Sequence, residues 1–167
     1  MTPLEKTQKK RQEIIEAAAA HLIDHGLHTS GLRAMGASIG MSDRMLMYYF
    51  ETKEALVSEA LLLIADGLAA SAEASLPKGN ASTRQVLEAL TANLNVPQVQ
   101  AVMRLWFEII GLAMRGQEPY RSTAETILRQ SEDQIRARLR TDQKHRAREV
   151  LSTLEGTLMV RLLQSTD

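Results

Sequence analysis

The sequence predicts an all-α protein of about eight helices, three in an N-terminal set and about five in the body that follows. Three observations predict it. No stretch alternates apolar and polar residues for long enough to make a strand. Over most of the chain apolar residues recur three and four apart. Ser/Thr N-caps and C-terminal glycines fall between these runs, where helices should start and stop.

The first helix is expected from about Leu4 to His25. Ile14, Ala18 and Leu22, then Ile15, Ala19 and Ile23, fall at helical spacing, and Gly26 ends the run. Thr29 or Ser30 caps a short second helix reaching about Ile39. Gly40 follows, and Ser42 caps a third helix from Asp43 to about Tyr49. Thr52 caps a long fourth helix, rich in Ala and Leu, that reaches about Ser75. "PKGNAS", residues 77–82, reads as a loop. A helix from Thr83 to about Leu94 stops before Pro97. The next, about Gln98 to Met114, is apolar nearly all round and belongs in the centre of a core. On it, Arg104 and Glu108 lie four apart and can pair. Gly116 and Pro119 mark a turn, and two last helices cover about 120–140 and 143–164. These elements divide into residues 1–51 and residues 52–167.

Composition narrows the class. The chain has 167 residues, 44% hydrophobic and 24% charged, which is ordinary for a globular protein. It has no cysteine, which excludes disulfides and cysteine-bound zinc. The start, "MTPLEKTQKKRQE", is basic and polar and lacks the apolar core of a secretory signal. No window approaches 18 apolar residues without a charge, so no membrane span is expected, and the expected location is cytoplasmic. Formal net charge is zero, but Lys6, Lys9, Lys10 and Arg11 cluster at the start. A local basic patch of this kind can meet phosphates without making the whole chain basic.

The aromatic residues are unevenly spent. The chain has one Trp, three Tyr and two Phe, and three of them stand together as Tyr48, Tyr49 and Phe50. They follow two short helices joined at a glycine and re-started by Ser42, a helix-turn-helix pattern. Leu32, Met35, Ile39 and Leu46 form the buried faces, and Gly36 is small where the helices approach. Asp43, Arg44 and Met45 then lead the second helix toward a DNA major groove. Tyr48 and Tyr49 sit where hydroxyl tips can reach phosphates while the rings pack, and Phe50 anchors the core. Lys53 opens the next helix and adds a cation to its positive dipole end.

"GLHTSGLRAMGASIGMSDRMLMYYFETKEALV", residues 26–57, resembles the signature of TetR-type (tetracycline-repressor-like) transcriptional regulators. The likeness covers about 45 residues, Gln12 to Val57, with the spacing correct throughout. "GMS" at 40–42 matches a Gly-aliphatic-Ser turn, and "YYF..KEAL" matches the ending of the motif. The resemblance implies a double-stranded DNA partner, with base reading by Arg33, Asp43, Arg44 and Met45. It implies phosphate contacts from Lys10, Ser30, Ser42, Tyr48, Tyr49 and Lys53. Three positions depart from the pattern. Met47 stands where a phosphate-binding Tyr is usual, which moves that contact to Tyr48. Gly31 replaces a capping Ser or Thr, which leaves Ser30 as substitute, and Gly36 replaces Ala.

The body suggests a homodimer and a ligand. Ala147, Leu151, Leu154, Leu158 and Leu162 form one apolar stripe on the last helix, and Leu128, Ile135 and Leu139 form another on the helix before. Gly156 lies mid-helix, at a cost of about 1 kcal/mol relative to Ala that close approach of a partner helix would offset. The resemblance implies a four-helix dimer interface from these helices; an ordinary core within one subunit is the alternative. Met103, Trp106, Phe107, Ile110 and Met114 form a large, adaptable stripe on the central helix. The resemblance implies a small-molecule effector there, repression of transcription and release of DNA by the ligand. The same stripe serves equally as plain core, and the body is about one helix short for the family.

Other classes have less support. There is no phosphate loop, nucleophile motif or HExxH, so neither an enzyme nor a cofactor is expected. His21, His25 and His28 have metal-like spacing but read better as surface histidines, and no metal is expected. A helical partner-binding bundle explains the body but leaves residues 42–56 unexplained. A DNA-binding regulator without a small-molecule effector is the other alternative.

Overall fold

Thr2 and Glu5 cap each other's backbone amides at the start of the chain. Helix α1 (Pro3–His25) grows from that box and stops at Gly26, whose φ of +73° favours glycine. The computed structural model describes residues 2–92 and 94–164. Seven more helices follow: α2 (Leu32–Ile39), α3 (Asp43–Tyr49), α4 (Lys53–Glu73), α5 (Thr83–Thr91), α6 (Pro97–Ala113), α7 (Tyr120–Arg138) and α8 (Ala147–Gln164). Among the described residues there is no strand, only an isolated bridge between Ala81 and Leu139.

The local chemistry accounts for these boundaries. Ser42, Thr52 and Ser82 accept the amides of Met45, Ala55 and Gln85, so α3, α4 and α5 start where the sequence predicts. Pro97 opens α6, where its missing N–H costs nothing. Two starts differ from expectation. Neither Thr29 nor Ser30 caps α2; Gly31 stands at that position, and both hydroxyls donate backward to the carbonyls of His25 and Gly26. The last helix begins at Ala147 because residues 141–146 wind as a tighter 3-10 turn. There Gln143 accepts the Thr83 amide at 2.9 Å, and Ala81 exchanges two backbone bonds with Arg138 and Arg140. The 77–82 loop is thereby stitched to the end of α7.

One core runs through most of the molecule. Ile14, Leu22, Leu56, Val57 and Ile109 are almost wholly buried where α1, α4 and α6 meet. Burying such a side chain contributes about 1.5–3 kcal/mol. A second cluster joins Val86 of α5 to Ile135, Leu139, Ala147 and Leu151. Helix α4 is long and apolar enough, by length and composition, to cross a bilayer. Here its Leu56, Val57, Ala60 and Leu61 are buried in the protein, and it packs on α1 and α7.

The expected dimer stripe is corrected by this packing. Ile135, Leu139, Leu151 and Leu158 are buried inside their own subunit, and Leu128, Leu154 and Leu162 pack half-buried beside them. The core alternative describes these residues, because α7 and α8 pack on each other and α6 packs on both. Gly156 differs from them. It is exposed, with open space where a side chain would stand. It shares a face of α8 with exposed Ser152, Met159, Val160 and Leu163, the last 74% accessible.

Candidate nucleic-acid interface and ligand cavity

Gly36 sets the crossing of α2 and α3. A Cβ there would lie 2.7 Å from the Met41 carbonyl oxygen, closer than real contacts allow. The Met41 amide also donates to Gly36 at 2.8 Å, so the turn closes tightly on α2. Met35 and Leu46 are buried between the two helices, with Leu32 and Ile39 half-buried alongside. Ser42 then caps α3 and fixes its direction.

That direction leaves the predicted readers free. Arg33, Asp43, Arg44 and Met45 are all exposed. Tyr48 is 73% accessible, while Tyr49 meets it edge-to-face at 5.1 Å and packs on the core. Ser42 is exposed, Lys53 is half-buried at the start of α4, and Lys10 is exposed but paired with Glu13 at 3.2 Å. A pair so exposed contributes little and can open to a phosphate. Ser30 is a correction. It is wholly buried, and its hydroxyl bonds the Gly26 carbonyl, so it serves the α1–α2 turn and no phosphate.

Beside the shared core, two polar contacts fasten the module to the body. Phe50 is buried as expected, and the Arg11 guanidinium lies 4.6 Å from its ring centroid while pairing bidentately with Glu59 of α4. The second point replaces the expected Arg104–Glu108 pair. Glu108 turns to the end of α1 and accepts the amides of Leu27 at 2.9 Å and His28 at 3.1 Å. Arg104 is exposed. Of the three histidines read as surface residues, His25 and His28 are exposed but His21 is buried: it stacks on His25 at 4.4 Å, and burial and the neighbouring His25 push its pKa down, against a smaller opposing pull from Asp24.

Two cavities of about 80 and 140 Å³ lie between α4, α6, α7 and α8. Met103 lines both and Trp106 lines the smaller. The other expected pocket residues do not. Phe107 and Ile110 pack half-buried against the core, and Met114 is 79% exposed at the end of α6, because a straight helix cannot turn all five side chains to one cavity. The residue the sequence reading missed is Glu155 on α8, which lines both cavities and accepts the Trp106 indole N–H at 2.9 Å. Burial raises its pKa above the ordinary carboxylate range, opposed by that hydrogen bond. Its sequence signal was a lone carboxylate within the apolar stripe of the last helix.

Residues 14–60 match the family described as "Bacterial regulatory proteins, tetR family". Among curated proteins none matches. Solved structures share the fold over nearly the whole chain. Protein SCO7518 of Streptomyces coelicolor A3(2), described as a transcriptional regulator, is 23% identical with a TM-score of 0.75, covering 93% of this chain and 88% of that one. A TetR transcription regulator from Haloarcula marismortui ATCC 43049 is 16% identical with a TM-score of 0.73, covering 94% and 88%. The multidrug binding protein EbrR, solved with malachite green, is 23% identical with a TM-score of 0.67, covering 92% and 87%. Residues 14–60 thus carry the module of the tetR family of bacterial regulatory proteins, and the rest of the chain shares the fold of these solved structures.

Proposed function

We propose that this protein is a cytoplasmic repressor that binds an operator as a homodimer and releases it when a small apolar ligand enters the body. In this reading residues 1–51 read DNA, and residues 52–167 pair the subunits and hold the ligand. The observation that carries it is the presentation of α3. A close-packed glycine and a serine cap fix the helix, and its free face carries Arg44, Met45 and Tyr48. Arg33, Asp43, Arg44 and Met45 take the base edges. Lys10, Ser42, Tyr48, Tyr49 and Lys53 take the phosphates.

The dimer seam moves to the exposed face of α8. Gly156 lets a partner helix approach closely, while Met159, Val160 and Leu163 supply apolar area. A single module makes few contacts, so two reading heads are needed for a tight site. Effector control is supported by the cavities beside Met103 and Trp106, and by Glu108 on the same helix, which grips the turn ahead of α2. That EbrR was solved with malachite green supports the same use of the body. A regulator without an effector is the second reading, favoured by the small size of the cavities.

Selection of bound duplexes from a random pool tests the proposal. The selected site should be a near-palindrome, since an isologous dimer presents two equal heads. Its half-site centres should lie about one helical turn, or a multiple, apart. Log affinity should fall against log salt with a slope of about −0.9 per phosphate neutralised. Failure to select any duplex would leave the helical partner-binding bundle as the better account.

A further inference from the structure

The cavity wall is apolar except at a few points, and only one of these carries a charge. Glu155 reaches from α8 into the space between α4, α6 and α7, where it meets Met103, Leu68 and Ile127 in both cavities. Ser131 and, in the larger cavity, Gln134 are the neutral polar residues there. The Trp106 indole gives Glu155 one hydrogen bond, and no ion pair reaches the carboxylate among the described residues. A carboxylate held in apolar surroundings is costly unless paired, and one neutral N–H offsets only part of that cost. An arriving cation would complete the pairing. A neutral guest would leave the carboxylate as it is, and an anion would be repelled. Glu155 also borders the outer groove between α7 and α8, with Glu125, Arg129, Glu132 and Arg148.

Size sets the rest. A cavity of about 140 Å³ is close to the roughly 150 Å³ apolar cavity that accepts a benzene molecule. We infer that the ligand is not wholly apolar, as proposed above, but a small organic ammonium of about one ring's bulk, its cation on Glu155 and its apolar body against Met103 and Leu68. The inference rests on the reading of this chain as a ligand-responsive regulator.

Trp106 is the only tryptophan in the chain and bonds Glu155 directly, so its emission reports on the site. Benzylammonium, benzyl alcohol and benzoate, titrated against the full chain by tryptophan fluorescence and by calorimetry, separate charge from shape. The ammonium should bind at least about tenfold more tightly than the alcohol, and benzoate the most weakly. Glu155→Gln keeps an acceptor for Trp106 and removes the charge. It should weaken ammonium binding about tenfold and leave the alcohol nearly unchanged. The inference is overturned if the alcohol binds the wild type as well as the ammonium does, if Glu155→Gln binds the ammonium unchanged, or if no probe gives heat or an emission change. Should the variant fail to fold, the wild-type ranking of the three probes decides alone. Operator affinity, measured with each probe present, distinguishes the two claims. Glu155-dependent ammonium binding that leaves operator affinity untouched supports the cation site and sinks the effector reading. Operator release by the alcohol but not by the ammonium does the reverse.

Discussion

The Glu108 carboxylate on α6 accepts the backbone amide of Leu27 at 2.9 Å, joining residues 81 apart in sequence. Its second bond, to the His28 amide, uses the same oxygen. These amides follow the end of α1, in the turn that leads into α2. A side chain of the helical body therefore holds the turn that leads into α2, so any shift of α6 would pull directly on that turn.

Glu108→Ala should destabilise the protein by about 1–3 kcal/mol, chiefly through the part-buried Leu27 amide left without its charged partner, since the exposed His28 amide can turn to water. Gly26→Ala should also destabilise it, for two reasons. The backbone there has φ +73°, and the new Cβ would lie 2.7 Å from a Glu108 oxygen. Urea unfolding of both single variants and the double variant checks this. The Gly26→Ala cost should be smaller when Glu108 is already alanine. Strict additivity would mean that backbone strain, and not the carboxylate, sets the cost.

Arg44→Ala should lower operator affinity and relax preference at particular base pairs, by about 1–3 kcal/mol at each. Tyr48→Phe should weaken all operators alike, because phosphate contacts carry little sequence information. Tyr49→Phe should act in the same uniform way but less, since its ring packs inward while Tyr48 is exposed. A panel of single-base operator variants reads the difference. Changed preference from Tyr48→Phe, with none from Arg44→Ala, would reverse the two roles.

The sequence carried the reading module better than the body, for a physical reason. Caps and tight turns are local, so Ser42, Thr52, Gly26 and Gly36 announce themselves within a few residues. Ser30 misled because a hydroxyl near a helix start can cap forward or bond backward, and only the fold decides which. Which face of α8 looks outward depends on what α5, α6 and α7 cover, and periodicity alone does not say. Leu158 and Met159 are neighbours in sequence, yet one is buried and the other half exposed. The partner of Glu108 could not be read at all, because backbone amides leave no trace in a sequence.

Met159→Glu should yield a folded monomer, because it places a charge in the middle of the proposed seam. Leu158→Glu should instead unfold the subunit or destabilise it by several kcal/mol, since an unpaired carboxylate would be buried in the core. Sedimentation and circular dichroism separate the two outcomes. Operator binding should fall with Met159→Glu in proportion to the lost dimer. A Met159→Glu protein that still sediments as a dimer would place the seam on another surface.

Glu155→Gln should stabilise the protein at neutral pH, and the gain should vanish in acid. Burial raises the Glu155 pKa in the folded state, against the smaller opposing effect of the Trp106 hydrogen bond. An acid with a raised folded pKa binds its proton more readily when native than when unfolded. Wild-type stability from this group is therefore full below the ordinary carboxylate pKa. It is lost as pH rises from there through the higher folded value. Glutamine stays neutral throughout and still offers an oxygen to the Trp106 indole, so it avoids the loss without opening a cavity. Urea unfolding of both proteins at about pH 7 and at about pH 4, near the ordinary carboxylate range, tests the sign. An advantage for the glutamine variant that persists unchanged in acid would assign it to packing. A glutamine variant less stable at neutral pH would mean that the carboxylate already has a cation beside it in the unliganded protein.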